Sequence, residues 1–498
     1  MARLPYADLA ELRRETDGIL TIRDGGVEIN DAEALRSKVL DRLVATATFG
    51  EGDLRDSARW LIRAAAVRLG AVPASIHDLY LAAGRNEYSN ATAPAINVRG
   101  LTYDVAQTIF RAAMKNDTKI VIFEIARSEM SYTWQRPAEY ASAVLAAAIK
   151  TGYQGPVFIQ GDHFQAIAKN YAKDPAAEIQ KVRDLAQEAI AAGFFNIDID
   201  ASTLVDLSRP TVREQQELNY RHTAELTEFI RSIEPEGITV SIGGEIGEVG
   251  GRNSTVEDLH GFMEGYLAEL KQRGEAAGKP IAGISKISVQ TGTSHGGVVL
   301  PDGSIAQVNV DFETLATLSK VAREQYGLGG AVQHGASTLP EEAFNKFAEA
   351  NAIEVHLATA FQNQIYDSPA FPADLRERIY AYLTERHADE RKPGQTDAQF
   401  YYTTRKRGFG PFKRDLWDLP EETRSQLMSE LFSTFDLIMQ RLGVGGTSAL
   451  VDRIVKPVEV RVPAPAALTG VAGTAVLGTR LTLLGWSVAG IGLLVVAL

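Results

Sequence analysis

The 498-residue sequence contains no cysteine. Disulfides, thiolate nucleophiles and cysteine-held zinc or iron–sulfur centres are therefore excluded, and any transition metal has to be bound by His, Asp or Glu. Positive charge is in deficit: 51 Lys and Arg stand against 63 Asp and Glu, a formal charge of −12. That is the wrong balance for a chain that must displace counterions from nucleic-acid phosphates. Long polar tracts are missing too, and 45% hydrophobic with 23% charged residues describes a chain that buries a core. The stretch Met1 to Leu20 lacks the apolar segment of a secretory signal, which predicts a cytoplasmic location. No internal repeat is visible. Histidine is scarce, eight in all, so where those residues fall carries information.

What is present divides into five stretches. Residues 1–92 read as an N-terminal helical extension, with charged-face helices predicted over Ala32–Ala47, Leu54–Leu69 and Ile76–Ala83. Over residues 93–376, short β-rich runs alternate with helix-period segments, the pattern of βαβ units. Strands are predicted over Ala95–Val98, Lys119–Ile125, Pro156–Gly161, Phe195–Asp200, Ile238–Ile242, Ile284–Gln290, Ala331–Gln333 and Ile353–Leu357. Eight parallel strands with helices between them predict an α/β fold, a (β/α)8 TIM barrel. An open doubly wound sheet would carry a glycine fingerprint after its first strand, and none follows Val98. Residues 377–456 read as a C-terminal helical region. Within it the aromatic and basic interval FYYTTRKRGFGPFKRDLW (400–417) reads either as a substrate or subunit contact or as a segment docking its aromatics on the barrel. Residues 457–480 form a Pro-punctuated linker, and 481–498 form an apolar tail of eighteen uncharged residues. The tail approaches the length of a bilayer-spanning helix and is a candidate membrane anchor; its alternative is a packed apolar tail.

In such a barrel, reactive groups lie at the C-terminal ends of strands. Asp162 and His163 follow the third predicted strand, Glu245 the fifth, His295 and Gly296 the sixth, and His334, Gly335 and Ser337 the seventh. Three of the eight histidines thus meet at one rim, whereas His77, His222, His260 and His387 fall in predicted helices. Three neutral imidazoles complete three corners of a catalytic zinc site and leave the fourth open for a substrate oxygen. Asp162, beside a ligand, is placed for proton transfer. The small residues after His295 and His334 suit a phosphate cradle, as any tight turn would.

The ordered segments PAINV, GPVFIQGDHF, GFFNIDIDAS, GGEIGEVGG, TGTSHGG and VQHGAS resemble six motifs of the class II ketose-bisphosphate aldolases, over about Pro94 to Gln362. The resemblance implies a metal-dependent aldehyde-lyase of carbohydrate metabolism whose zinc is bound by His163, His295 and His334. It implies that Asp162 transfers the substrate hydroxyl's proton and that Glu245 lies near the metal, a candidate ligand of a second site. It also implies that Gly296, Gly335, Ser337 and Thr359 bind one substrate phosphate, that backbone groups nearby hold a monovalent cation (Na+ or K+), and that the chain forms a dimer or tetramer. Fructose 1,6-bisphosphate is the default substrate, with tagatose 1,6-bisphosphate and a non-catalytic accessory barrel as alternatives. Two departures bear on substrate. Arg252-Asn253 replaces a Glu-Glu pair in the mobile-loop motif, leaving Glu248 and Glu257 as stand-ins and offering Arg252 as a contact for an additional anionic group. His356-Leu357-Ala358-Thr359-Ala360 replaces a more polar strand-eight motif. A zinc hydrolase on the same barrel would show His-x-His on its first strand, and Ala95–Val98 has none.

Overall fold

The computed structural model describes residues 3–23, 25–247, 251–292, 299–300 and 310–469. Eleven strands occur among the described residues: β1 (Leu20–Arg23), β2 (Gly26–Ile29), β3 (Ala71–Ala74), β4 (Ala93–Asn97), β5 (Ile122–Ala126), β6 (Gly155–Gln165), β7 (Asn196–Asp200), β8 (Ser241–Gly247), β9 (Lys286–Val289), β10 (Ala331–Gln333) and β11 (Glu354–Leu357). From β4 to β11 each strand pairs in parallel with the next, and β11 returns to β4 with Glu354 opposite Ala93 and Leu357 opposite Ile96. The eight strands close into a (β/α)8 barrel. Helices such as Thr102–Lys115, Pro137–Thr151, Pro175–Ala192 and Val256–Ala277 cover it. Parallel strands covered by helices on one face and packed into a barrel on the other have no solvated side, which is why every residue of β4, β5, β7 and β8 is buried.

The N-terminal 92 residues contain more than helices. β1 and β2 form an antiparallel hairpin, and β3 joins the barrel sheet, pairing Ala71–Ala74 with Gly155–Phe158 of β6. β7 begins to pair with β6 only at Gln160, so β3 occupies the lower part of that edge. Asn196 closes the gap, donating from Nδ2 to Ala74 O (3.2 Å) and Ile159 O (3.0 Å) while its Oδ1 accepts from Ile76 N (2.9 Å). The sequence conceals β3 because AVPA is too short to show a period.

Two strands run further than their predicted ends. β6 continues through Asp162 and His163 to Gln165, with a register shift between Gly161 and Phe164. The missing side chain at Gly161 admits the Phe164 ring: a Cβ there would lie 2.3 Å from Phe164 Cε1. β8 likewise carries Glu245 within the strand.

The aromatic and basic interval docks on the barrel and also lines its cavity. Phe409 packs against Gly100, Arg405 pairs with Asp367, and Trp417 stacks near Tyr103, while Tyr402, Thr403 and Lys406 reach the central cavity. Among the described residues no helix is long and apolar enough to cross a membrane. The tail 481–498 lies outside the described residues.

Candidate active site at the barrel rim

A cavity of about 340 Å3 opens at the C-terminal ends of the strands. Asn97, Asp162, His163, His334 and His356 line its floor, and Arg99, Glu129, Thr359, Gln362, Tyr402 and Lys406 are among its walls. His163 adopts φ +42° at the β6 bulge, a left-handed conformation that a non-glycine residue holds only where its surroundings enforce it. The bulge turns the ring inward. Its Nδ1 lies 3.0 Å from Asp200 Oδ2, and its ring centroid is 4.3 Å from that of His334. His334 Nε2 lies 3.1 Å from Ser288 Oγ and 3.5 Å from Glu245 Oε2.

Ligand atoms of Asp162, His163 and His334 all fall within 4.8 Å of one another, as do those of His163, Asp200 and Glu245. Two imidazoles with buried carboxylates are a donor set for a divalent cation of borderline softness. The residues present therefore fit a metal. His295 and Gly296, the remaining members of the proposed ligand and phosphate sets, lie outside the described residues, as does Glu248.

Electrostatics divides the carboxylates. Burial would raise the Asp162 carboxyl, but the imidazoles of His163, His356 and His334 outweigh it and hold the group well below the usual carboxylate range. Asn97 Nδ2 donates to Asp162 Oδ2 (2.9 Å) and to Glu129 Oε2 (2.9 Å), and Arg99 Nε donates to Glu129 Oε1 (2.6 Å). Glu245 is pushed up to about 8, by burial first and then by the like charge of Asp200. One rim thus offers an ionised carboxylate and a carboxyl that keeps its proton, environments that suit opposite halves of proton-transfer chemistry.

The residues expected to bind an anion separate. Gly335, Ser337 and Thr359 all line the cavity. Ser337 Oγ accepts from Ala360 N (3.3 Å) at the start of the helix Thr359–Asp367, and Arg99 Nη1 donates to Thr359 Oγ1 (3.3 Å) and to Gln362 Oε1 (2.9 Å). Arg252 is elsewhere: its guanidinium makes a bidentate pair with Asp258 (2.6 and 2.9 Å) at the start of the helix Val256–Ala277, outside the cavity. Glu257 is exposed on the same first turn and does not line the cavity.

Sequence reasoning missed Asn97, Arg99, Glu129, Asp200, Lys406 and, above all, His356. His356 sits between His334, 4.0 Å ring to ring, and the carboxylates of Glu124, Asp162 and Glu354. The signal was available. Gln160 and Asp162, Asp198 and Asp200, Lys286 and Ser288, Glu354 and His356 are pairs of polar residues two apart on otherwise apolar strands, and that spacing sends both members into the barrel.

A model of the family described as class II fructose-bisphosphate aldolase matches residues 75–402. No curated protein sequence matches the chain. Similar solved structures include fructose-bisphosphate aldolase from Campylobacter jejuni (17% identity, 72% of this chain and 93% of that one, TM-score 0.41) and an aldolase from Escherichia coli K12 (14%, 75% and 99%, TM-score 0.43). A fructuronate-tagaturonate epimerase from Cohnella laeviribosi also matches (13%, 90% and 90%, TM-score 0.46). The family match spans well over half of the sequence and takes in every rim residue named above except Thr403 and Lys406, and the chain belongs to the class II fructose-bisphosphate aldolase family.

Proposed function

We propose that the protein is a zinc-dependent lyase that breaks or forms a carbon–carbon bond of a phosphorylated ketose, with fructose 1,6-bisphosphate as the first substrate to test and tagatose 1,6-bisphosphate as the next. The observation that carries this reading is the placement of Asp162 beside His163 and His334 on the floor of the cavity. When bound, zinc polarises a substrate carbonyl and lowers the energy of charge developing there. His163 and His334 would hold it, with His295 as third ligand. Asp162, oriented by Asn97, takes the proton of the hydroxyl on the carbon that becomes the aldehyde and returns it in the reverse direction. Ser337, the first turn of the helix Thr359–Asp367 and Arg99 together suit one substrate phosphate. A monovalent cation at the backbone of the same loops and assembly into a dimer or tetramer belong to this reading as well.

A second substrate class is favoured by Lys406 on the cavity wall. The Lys406 ammonium lines the cavity with no carboxylate within ion-pair distance among the described residues, and burial, followed by the like charges of Arg99 and Arg407, lowers its pKa. A desolvated cation of this kind recruits an anion, and a sugar carboxylate serves it as well as a phosphate. Fructuronate and tagaturonate therefore belong in the same panel.

Metal content of purified protein and turnover of the four substrates, before and after chelation, test the proposal in wild type and Asp162→Ala. Chelator-sensitive, Asp162-dependent cleavage of a bisphosphate supports the aldolase. Conversion of the sugar acids without cleavage of the bisphosphates transfers the same site to an epimerase. Metal-free protein inert toward all four leaves an accessory barrel.

A further inference from the structure

Beneath the rim, the barrel interior is charged where eight-stranded barrels usually stack branched apolar side chains. Glu124, Asp162, Asp198 and Glu354 are buried together with Lys286 and His356. Lys286 Nζ lies 2.9 Å from Asp198 Oδ1, 2.5 Å from Glu354 Oε1 and 2.8 Å from Gln160 Oε1. Glu354 also accepts from Gln160 Nε2 (2.8 Å), Tyr80 OH and His356 Nε2 (2.6 Å). Glu354 is therefore fully engaged.

Glu354 holds the His356 ring at Nε2. The other ring nitrogen, Nδ1, faces Glu124 Oε1 at 3.2 Å and Asp162 Oδ1 at 3.3 Å. These three atoms are buried and make no hydrogen bond. Two carboxylate oxygens facing one imidazole nitrogen need positive charge among them, which a proton on Nδ1 or a metal ion supplies. A histidine that donates its far N–H to a carboxylate is also the usual arrangement of a metal ligand, since the carboxylate sets the tautomer and makes the near nitrogen more basic. Spacing agrees: two donors each about 2.1 Å from one cation stand about 3.0 Å apart at an octahedral angle and about 3.4 Å at a tetrahedral one. Asp198 supplies a fourth donor, and the four ligand atoms fall within 4.8 Å of one another.

We infer that the barrel interior holds a second divalent cation, ligated by His356 Nδ1, Glu124, Asp162 and Asp198, separate from the metal at the rim. Three carboxylates and one imidazole select a harder ion than the rim histidines do, manganese or magnesium rather than zinc. The cation would neutralise the barrel interior and hold Asp162 ionised from below while Asn97 holds its other oxygen. This inference stands apart from the proposed reaction, because it requires neither the rim metal nor any substrate.

Electron paramagnetic resonance titration of chelator-stripped, full-length protein with Mn2+ tests it. The background His334→Ala/Glu245→Gln dismantles both rim clusters and is expected to keep one bound Mn2+ per chain. Adding Glu124→Gln or His356→Gln is expected to weaken that binding at least about tenfold. Variants are read only if their far-ultraviolet circular dichroism matches wild type. Should the background not fold, the otherwise unaltered chain is used, in which Glu124→Gln must lower the Mn2+ count by one. No Mn2+ in the background protein, or binding indifferent to both substitutions, overturns the site and leaves a proton on Nδ1 instead.

Discussion

Lys286→Met isolates the electrostatics of the barrel interior. The ammonium is fully buried and lies within 3 Å of Asp198, Glu354 and Gln160. Burial would lower its pKa, but Asp198 and Glu354 reverse that and raise it, so the charge is present at neutral pH. Methionine matches the length of the stem and removes only the cation, stranding two carboxylates in a medium where they cannot be hydrated. Breaking a buried pair in this way costs about 3–5 kcal/mol. Unfolding entropy of about 2.1 cal/mol/K per residue gives roughly 1 kcal/mol per kelvin for 498 residues, so the melting temperature should fall by roughly 3–5 °C. Differential scanning calorimetry at pH 7 measures the shift. Raising the ionic strength should leave it nearly unchanged, because buried pairs are screened little. Lys286→Met/Glu354→Gln should recover part of the loss, since the second change removes one of the stranded charges. A shift below about 1 °C, or a double variant less stable than the single one, would show that lysine is not the charge partner of these carboxylates.

Three further outcomes follow from the same structure. Arg252→Ala should cost under about 1 kcal/mol, because its pair with Asp258 is 44% exposed on the arginine side. It should leave the KM of every phosphosugar unchanged; a raised KM would return this arginine to the site. Gly161→Ala should cost about 1–3 kcal/mol, the added Cβ meeting the buried Phe164 ring at 2.3 Å. Because that ring seats the bulge carrying His163, bound metal should fall as well, and undiminished metal content would refute the link. His77 is buried, with its pKa lowered to about 4 by burial and then by Arg231. A depressed histidine binds its proton more readily in the unfolded chain, so its contribution is present above pH 6.5 and is lost as pH falls through about 4. The full difference is about 3 kcal/mol. Melting temperature measured from pH 7 to pH 4 should therefore fall less steeply in His77→Gln than in wild type, and parallel curves would exclude the assignment.

The rim was legible because its residues sit next to unmistakable strand ends. FIQGDH and AVQHGAS each join an apolar run to a polar terminus, and barrel topology sends such termini to one face whatever lies between them. Strand boundaries were less legible: β6 passes through Asp162 and His163 because a bulge, rather than a turn residue, changes its direction. Arg252 looked available for substrate because sequence shows its charge but not the bidentate contact with Asp258 that occupies it.

By itself the sequence determined the number and order of the barrel strands, the exclusion of thiol chemistry, and the meeting of Asp162, His163 and His334 at one rim. These rest on local periodicity and on a topology with one way to close. Tertiary structure alone decided the charged interior. Glu124, Asp198, Lys286, Glu354 and His356 come from four different strands, and whether such residues oppose one another, and at what height, depends on the barrel's stagger and on the bulge in β6. That stagger is set by the packing of all eight strands together, so no single segment of the sequence carries it.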